Sequence, residues 1–217
     1  MDLNGVPLCG SFSLVLDVLR GEAVADLGCN GGHYLRFCGP GSQGLDISRD
    51  SVAACRAQGL SAQQHDLNVL PLPLPGGAFG VVLLSHVLEH VHAPLLLLQE
   101  ANRLLRPGGR LVLGLPIEDS LYSRLRMDYY GGPEGHLYSF SRRNLRRLLE
   151  LAGFTQERFY LHLPILGFRP WPRLNRLVQR LPTGLLYQLS GACWCIARRV
   201  GPPLRDPEFS SYFREGA

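Results

Sequence analysis

Residues 79–85, FGVVLLS, and 110–116, RLVLGLP, are nearly unbroken apolar runs of strand length. A strand apolar on both faces belongs in the middle of a parallel sheet covered by helices. Between the two runs, APLLLLQEANRLLRPGG places Pro94 near a helix start, then apolar positions at helical spacing, then a PGG stop. Strand, helix and strand in that order make a βαβ unit, which constrains the chain to an α/β fold.

The rest of the chain extends this alternation. LVLDVLR (14–20) reads as a short amphipathic helix, EAVADLG as a buried strand ending in glycine, and QGLDIS as a second strand. DSVAACRAQG reads as a helix stopped by glycine, and LSAQQHDL as a third strand. PLPLPGG can be neither helix nor central strand, so it is a loop. In SRRNLRRLLELAGF, Ser141 is the expected N-cap, Leu145, Leu148, Leu149 and Ala152 share one face, and Gly153 is the stop. FTQERFYLHL and ACWCIARRV are expected strands; the polar, aromatic and glycine-containing segment after Pro116 reads as a lid or substrate segment.

With 217 residues, 46% of them apolar, the chain can build one sizeable core. The expectation is a single domain over 1–217, its core at about 14–160 plus a last strand at about 192–200. A basic amphipathic insertion is expected at 163–191 and a tail at 201–217. Asp2 directly follows Met1, with no basic and apolar leader, and apolar runs stop short of the roughly 20 residues that span a bilayer. A soluble, cytoplasmic protein is expected. The six cysteines lack CxxC pairing and read as reduced, mostly buried thiols; Cys193 and Cys195 should share one face of a strand.

All 22 basic residues are arginine, which excludes a lysine Schiff base. Charge is lopsided: residues 1–100 carry 4 Arg against 9 Asp and Glu, and 101–217 carry 18 against 9. The two halves are therefore expected to meet different ligands.

A parallel α/β sheet binds ligands at the carboxyl ends of its strands, which here are Asp26 to Gly32, Asp46, Asp66 and Ser85. In DLGCNGG the glycines allow a sharp turn and a close ligand approach, and Asn30 tolerates a left-handed conformation. Asp46, about twenty residues on, stands where an acid accepts hydrogen bonds from ribose hydroxyls. One strand further, Asp66 lies at adenine distance.

Together, VADLGCNGGHYL, GLDIS, HDLNVLPLP, FGVVLLSHVLEHV and RLLRPGGRLVLGLP resemble the ordered motifs of class I S-adenosylmethionine-dependent methyltransferases, over residues 22 to 160. The resemblance implies a Rossmann-like, seven-stranded, mostly parallel sheet of order 3-2-1-4-5-7-6, with the last strand antiparallel and helices on both faces. It implies S-adenosylmethionine as cofactor, held by Asp26, Gly28, Cys29, Asn30 and Gly32 in the first turn. Asp46 would stand at the ribose, with Ile47 next to it as a further cofactor contact, Asp66 and Leu67 at adenine, and Ser85 at the end of the fourth strand. Asn30 replaces a motif glycine, and Gly80 stands where the family often has aspartate.

SHVLEHV, residues 85–91, follows the fourth strand. Helical spacing would put His86 and His90 on one face with Glu89 beside both. His136 comes from the segment beyond the fifth strand. Some relatives, the ubiquinone-pathway O-methyltransferases, read ExxEH here and hold a divalent metal; His86 replaces the first acid of that pattern. Three readings stand side by side: His90 and His136 as base or acceptor-orienting groups, a metal site of Glu89, His90 and His136, or packing. The first is taken and no metal is assigned; His33, His65, His92 and His162 are taken as structural.

The resemblance does not name the methyl acceptor; the expected activity is O-methylation of a small, saccharide or lipid-linked acceptor at a rim formed by residues 85–92 and 116–140. Residues 141–180 carry nine arginines against two glutamates, compatible with an anionic acceptor. The apolar and arginine-rich stretch 163–186 is read as a lid or a peripheral membrane contact. The rivals are a metal-assisted RNA 2′-O-methyltransferase, with nucleic acid not the favoured partner, and a non-catalytic cofactor-binding partner protein.

Overall fold

A computed structural model describes residues 11–126, 135–162 and 183–204. Its elements are α1 (Ser11–Leu19), β1 (Val24–Leu27), β2 (Gln43–Asp46), α2 (Arg49–Ala57), β3 (Ala62–Gln64), β4 (Phe79–Ser85), α3 (Pro94–Leu104) and β5 (Leu105–Pro116). They continue with α4 (Leu121–Arg126), α5 (Arg142–Leu151), β6 (Phe154–His162), a short helix at Thr183–Gln188 and β7 (Ala192–Arg199). Most of the expected insertion, part of the expected lid segment and most of the tail lie outside the described residues.

The seven strands form one sheet of order β3-β2-β1-β4-β5-β7-β6. β1 through β5 pair in parallel, and β7 runs antiparallel to both β5 and β6. This is the expected order with its reversed last strand.

Side-chain alternation along the strands sorts two cores. Ala25, Leu27, Val82, Leu84, Leu111, Leu113, Cys193 and Cys195 face α3 and α5, meeting Leu97, Leu98, Ala101, Leu145 and Leu149. Val24, Val81, Leu83, Val112, Trp194 and Ile196 face the other way, against Val15 and Leu19 of α1. Each fully buried Leu contributes about 1.5–3 kcal/mol by leaving water. That is why β4 is apolar from Phe79 to Leu84 and β5 from Leu111 to Leu115. Burial also pushes the Cys193 and Cys195 thiols up to about 12, so both stay protonated.

Local signals set the helix ends. Ser48 Oγ accepts from Ser51 N at 3.2 Å and Ser141 Oγ from Asn144 N at 3.2 Å, each capping a free amide of the first turn. Pro94 needs no such cap for its own nitrogen.

Two boundaries differ from the sequence reading. β3 stops at Gln64 because His65 N still reaches Asp46 O, after which Asp66 Oδ1 closes its own turn onto Asn68 N at 2.9 Å. The PGG sequence does not delay β5: pairing begins at Leu105, opposite Phe79, skips, and resumes at Arg110 opposite Val81. Pro107 has no amide to give the ladder and Gly108 has φ +74°, so both fall in the irregularity.

Candidate cofactor and acceptor site

Strand register brings the carboxyl ends together. Leu27 of β1 lies beside Leu45 of β2 and Leu84 of β4, and Ser85 lies beside Gly114 of β5. The turns leaving these four strands therefore share one rim. Gly28 N and Cys29 N both donate to Leu45 O, at 2.8 and 3.0 Å, and fold the first turn over β2. Gly28 has φ +83°, and a Cβ there would lie 2.4 Å from Val87 Cγ2. Asn30 has φ +46°, the left-handed conformation expected of a residue replacing glycine.

Asp46 ties this turn to α2. Its Oδ2 accepts from Asn30 N at 2.7 Å and its Oδ1 from Ser48 N at 2.8 Å. Each oxygen retains a further acceptor direction for a ligand hydroxyl. Ile47 next to it is 65% exposed, an apolar surface beside a polar cleft. Asp66 and Leu67 lie on the loop after β3, with Leu67 half-buried against the core. Asn68 Oδ1 accepts from His92 N at 2.8 Å, which joins this loop to the turn after β4.

Asp26 is buried, and neither carboxylate oxygen has a hydrogen-bond partner. Burial first, then the Asp46 charge, raises its carboxyl from the ordinary 3.8 to about 7. An unpartnered buried carboxylate is costly, and a ligand cation at the strand end resolves that cost. S-adenosylmethionine carries an ammonium and a sulfonium, so this orphaned acid, the glycine turn closed by Val87 and the diol-accepting Asp46 fit that cofactor. At Gly80, the other departure, the neighbour is a flexible side chain. A Cβ at Gly80 would lie 2.1 Å from Glu22 Oε2, and Glu22 pairs there with Arg106 at 2.9 Å.

The acceptor side follows β4. Ser85 is half-buried and hydrogen-bonds to Tyr34, whose phenol is raised chiefly by burial. The following turn is not the helical face expected from the spacing. His86 takes φ +55° with its N–H on Gly114 O at 2.9 Å, a conformation no helix contains. That sends its ring toward Trp194, at 6.4 Å between centroids, with Nδ1 3.5 Å from Glu89 Oε1. His90 instead meets His136, ring centroids 4.7 Å apart and nearly perpendicular.

His136 is positioned from behind: its Nδ1 lies 2.7 Å from Oε1 of the buried Glu118. Glu118 was not singled out from the sequence, although it stands two residues beyond the end of β5, where the strand-end rule points. Glu89 is completely buried, and its carboxylate oxygens make no hydrogen bond. Its carbonyl accepts from Leu137 N at 2.8 Å and from Tyr138 N, fastening the 135–140 segment over the turn. One ligand atom each from Glu89, His90 and His136 lies within 4.8 Å of the others. Of the remaining histidines, His65 bonds Val69 O and His33 packs edge-on to Tyr34.

The fold and this paired rim define a class I S-adenosylmethionine-dependent methyltransferase. The chain belongs to the family described as "Methyltransferase domain", whose model matches residues 14–158. It is 36% identical over 108 residues to the tRNA U34 carboxymethyltransferase of Pseudoalteromonas translucida, covering 45% of this chain and 33% of that protein. It is 32% identical over 111 residues to the ubiquinone biosynthesis O-methyltransferase of Methylococcus capsulatus, covering 48% and 47%. This chain thus spans less than half the length of either relative. A SAM dependent methyltransferase from Archaeoglobus fulgidus shares the fold with a TM-score of 0.65 at 22% identity, over 87% of this chain and 95% of that one.

Proposed function

We propose that this chain transfers the methyl group of S-adenosylmethionine to a hydroxyl oxygen of a small, saccharide or lipid-linked acceptor. The bound cofactor supplies an electrophilic methyl group. Asp26 would face its cationic end, the turn from Gly28 through Cys29 and Asn30 to Gly32 would enclose it, and Asp46 would accept from the ribose hydroxyls. Ile47, Asp66 and Leu67 would border the adenine, and Ser85 would close the strand-four side.

The observation that carries the acceptor half is the Glu118–His136–His90 arrangement. A buried carboxylate on Nδ1 orients the His136 ring against His90 at the rim, which supports His136 as base and His90 as its orienting neighbour. Positioning the acceptor oxygen in line with the methyl group supplies much of the remaining rate.

A second reading draws on the buried Glu89, whose carboxylate oxygens make no hydrogen bond. With His90 and His136 it could ligate one divalent cation, Glu118 holding the outer nitrogen of His136. That cation would lower the acidity threshold of the hydroxyl instead of a base doing so.

One experiment addresses both readings: methyl transfer to phenols, sugars, polyprenyl lipids and RNA, with and without chelator. Transfer to a hydroxylated acceptor that survives chelation supports the base, and transfer abolished by chelation and restored by metal supports the cation. The His90→Ala/His136→Ala variant should lose about 100-fold or more in turnover while still binding cofactor. Undiminished turnover in that variant would make the cluster structural.

A further inference from the structure

The short helices α4 and Thr183–Gln188 are joined at the same rim. Ser120 Oγ donates to Ser190 O at 2.6 Å, Leu121 N to Gln188 Oε1 at 2.9 Å, and Tyr187 Oη to Asp119 Oδ1 at 2.6 Å. These bonds, with buried Ser120 and Ser123, give the pair a polar inner seam. The apolar side chains face outward instead: Leu121 is 52% exposed, Leu125 75% and Leu185 46%. Leu121 and Leu125 are four apart and share a face. Leu185 lies one turn before Gln188, on the stripe that reaches Leu121. Exposed Arg124 sits on the same outward side of α4.

In α4 this inverts the usual order of a surface helix, with Ser123 inside and leucines outside. A cluster of that kind, unlike a lone exposed leucine, marks a contact surface. Charge identifies what it contacts. The sequence joining His162 of β6 to Thr183, residues 163–182, contains four arginines and no acid, interleaved with leucines, a phenylalanine and Trp171. The described elements on either side of it stand at this rim: Gly191 N donates to His162 O of β6, and the Thr183–Gln188 helix accepts from Leu121 N of α4. Leucine, tryptophan and arginine together, without acids, are the composition of an interfacial surface on anionic lipid. A protein partner would not require the acids to be missing. No described helix is long and apolar enough to cross a membrane, so the contact is peripheral.

We propose that the face formed by Leu121, Arg124, Leu125 and Leu185 docks on an anionic phospholipid surface and presents the acceptor rim to it. This proposal stands whether or not the chain methylates a hydroxyl.

The test is co-sedimentation of the full chain with phosphatidylcholine vesicles, with and without phosphatidylglycerol. The chain should partition to the anionic vesicles only, and raised salt should weaken this. Leu121→Ser/Leu125→Ser should lower the partition about tenfold or more, and Arg124→Glu should lower it at low salt. Circular dichroism and cofactor binding would establish that each variant is folded. Absence of co-sedimentation overturns the proposal, as does unchanged partition of both folded variants. Concentration-dependent self-association abolished by the leucine variant, with no lipid binding, would assign the face to a second copy and equally overturn it.

Discussion

At Asp26 a carboxyl held near 7 makes both stability and ligand affinity depend on pH. Its folded value lies above its ordinary 3.8, so its contribution to stability is fully present below about 3.8 and is lost as pH rises through about 7. A cationic ligand favours the carboxylate, so affinity for S-adenosylmethionine should strengthen as pH rises through that same value. Below it, affinity should fall by up to about tenfold per pH unit. The Asp26→Asn variant should bind more weakly with no such slope; a wild-type slope retained in this variant would place the titrating group elsewhere. Two residues on, Gly28 combines φ +83° with Val87 2.4 Å from any added Cβ. Gly28→Ala should cost about 1–3 kcal/mol in a denaturant melt and weaken cofactor binding. Shortening Val87 to alanine in that background should recover part of the loss.

Among the elements, α5 shows how far local sequence reached. Ser141, the apolar face at Leu145 and Leu149, and the Gly153 stop with φ +83° all stand where the pattern put them. Removing the cap by Ser141→Ala should cost about 1 kcal/mol, read as a lower melting temperature with cofactor affinity unchanged. β4 was equally legible, because a strand buried on both faces leaves no register for polar residues. The turn after it was not. Spacing alone suggested a helical face for His86 and His90, but periodicity carries no information about a positive φ at His86. The actual pairing, His90 with His136, joins residues far apart in sequence through a segment hung on the Glu89 carbonyl. Glu118 escaped notice for a related reason: its meaning depends on the histidine it touches.

For the whole molecule, the uneven charge of the chain does not resolve into one acceptor patch. Asp26, Asp46 and Asp66 of the acidic first half stand at or just beyond the ends of β1, β2 and β3, whereas Arg106, Arg110 and Arg198 of the arginine-rich second half pair with Glu22 and Glu157 at the opposite end of the sheet. Sheet order could be read only through family resemblance, because no property of a single strand states its neighbours; seven strands paired as expected bear it out. Which acceptor the site would take depends on the rim beyond β5, where side-chain identity and not strand pattern decides. The cofactor half rests on fewer assumptions, and isothermal titration calorimetry tests it most directly. Both S-adenosylmethionine and its demethylated product should give saturable binding, weakened about tenfold or more by Asp46→Ala through loss of its hydroxyl-accepting oxygens. Absence of binding to either ligand by the folded wild-type chain would contradict the account.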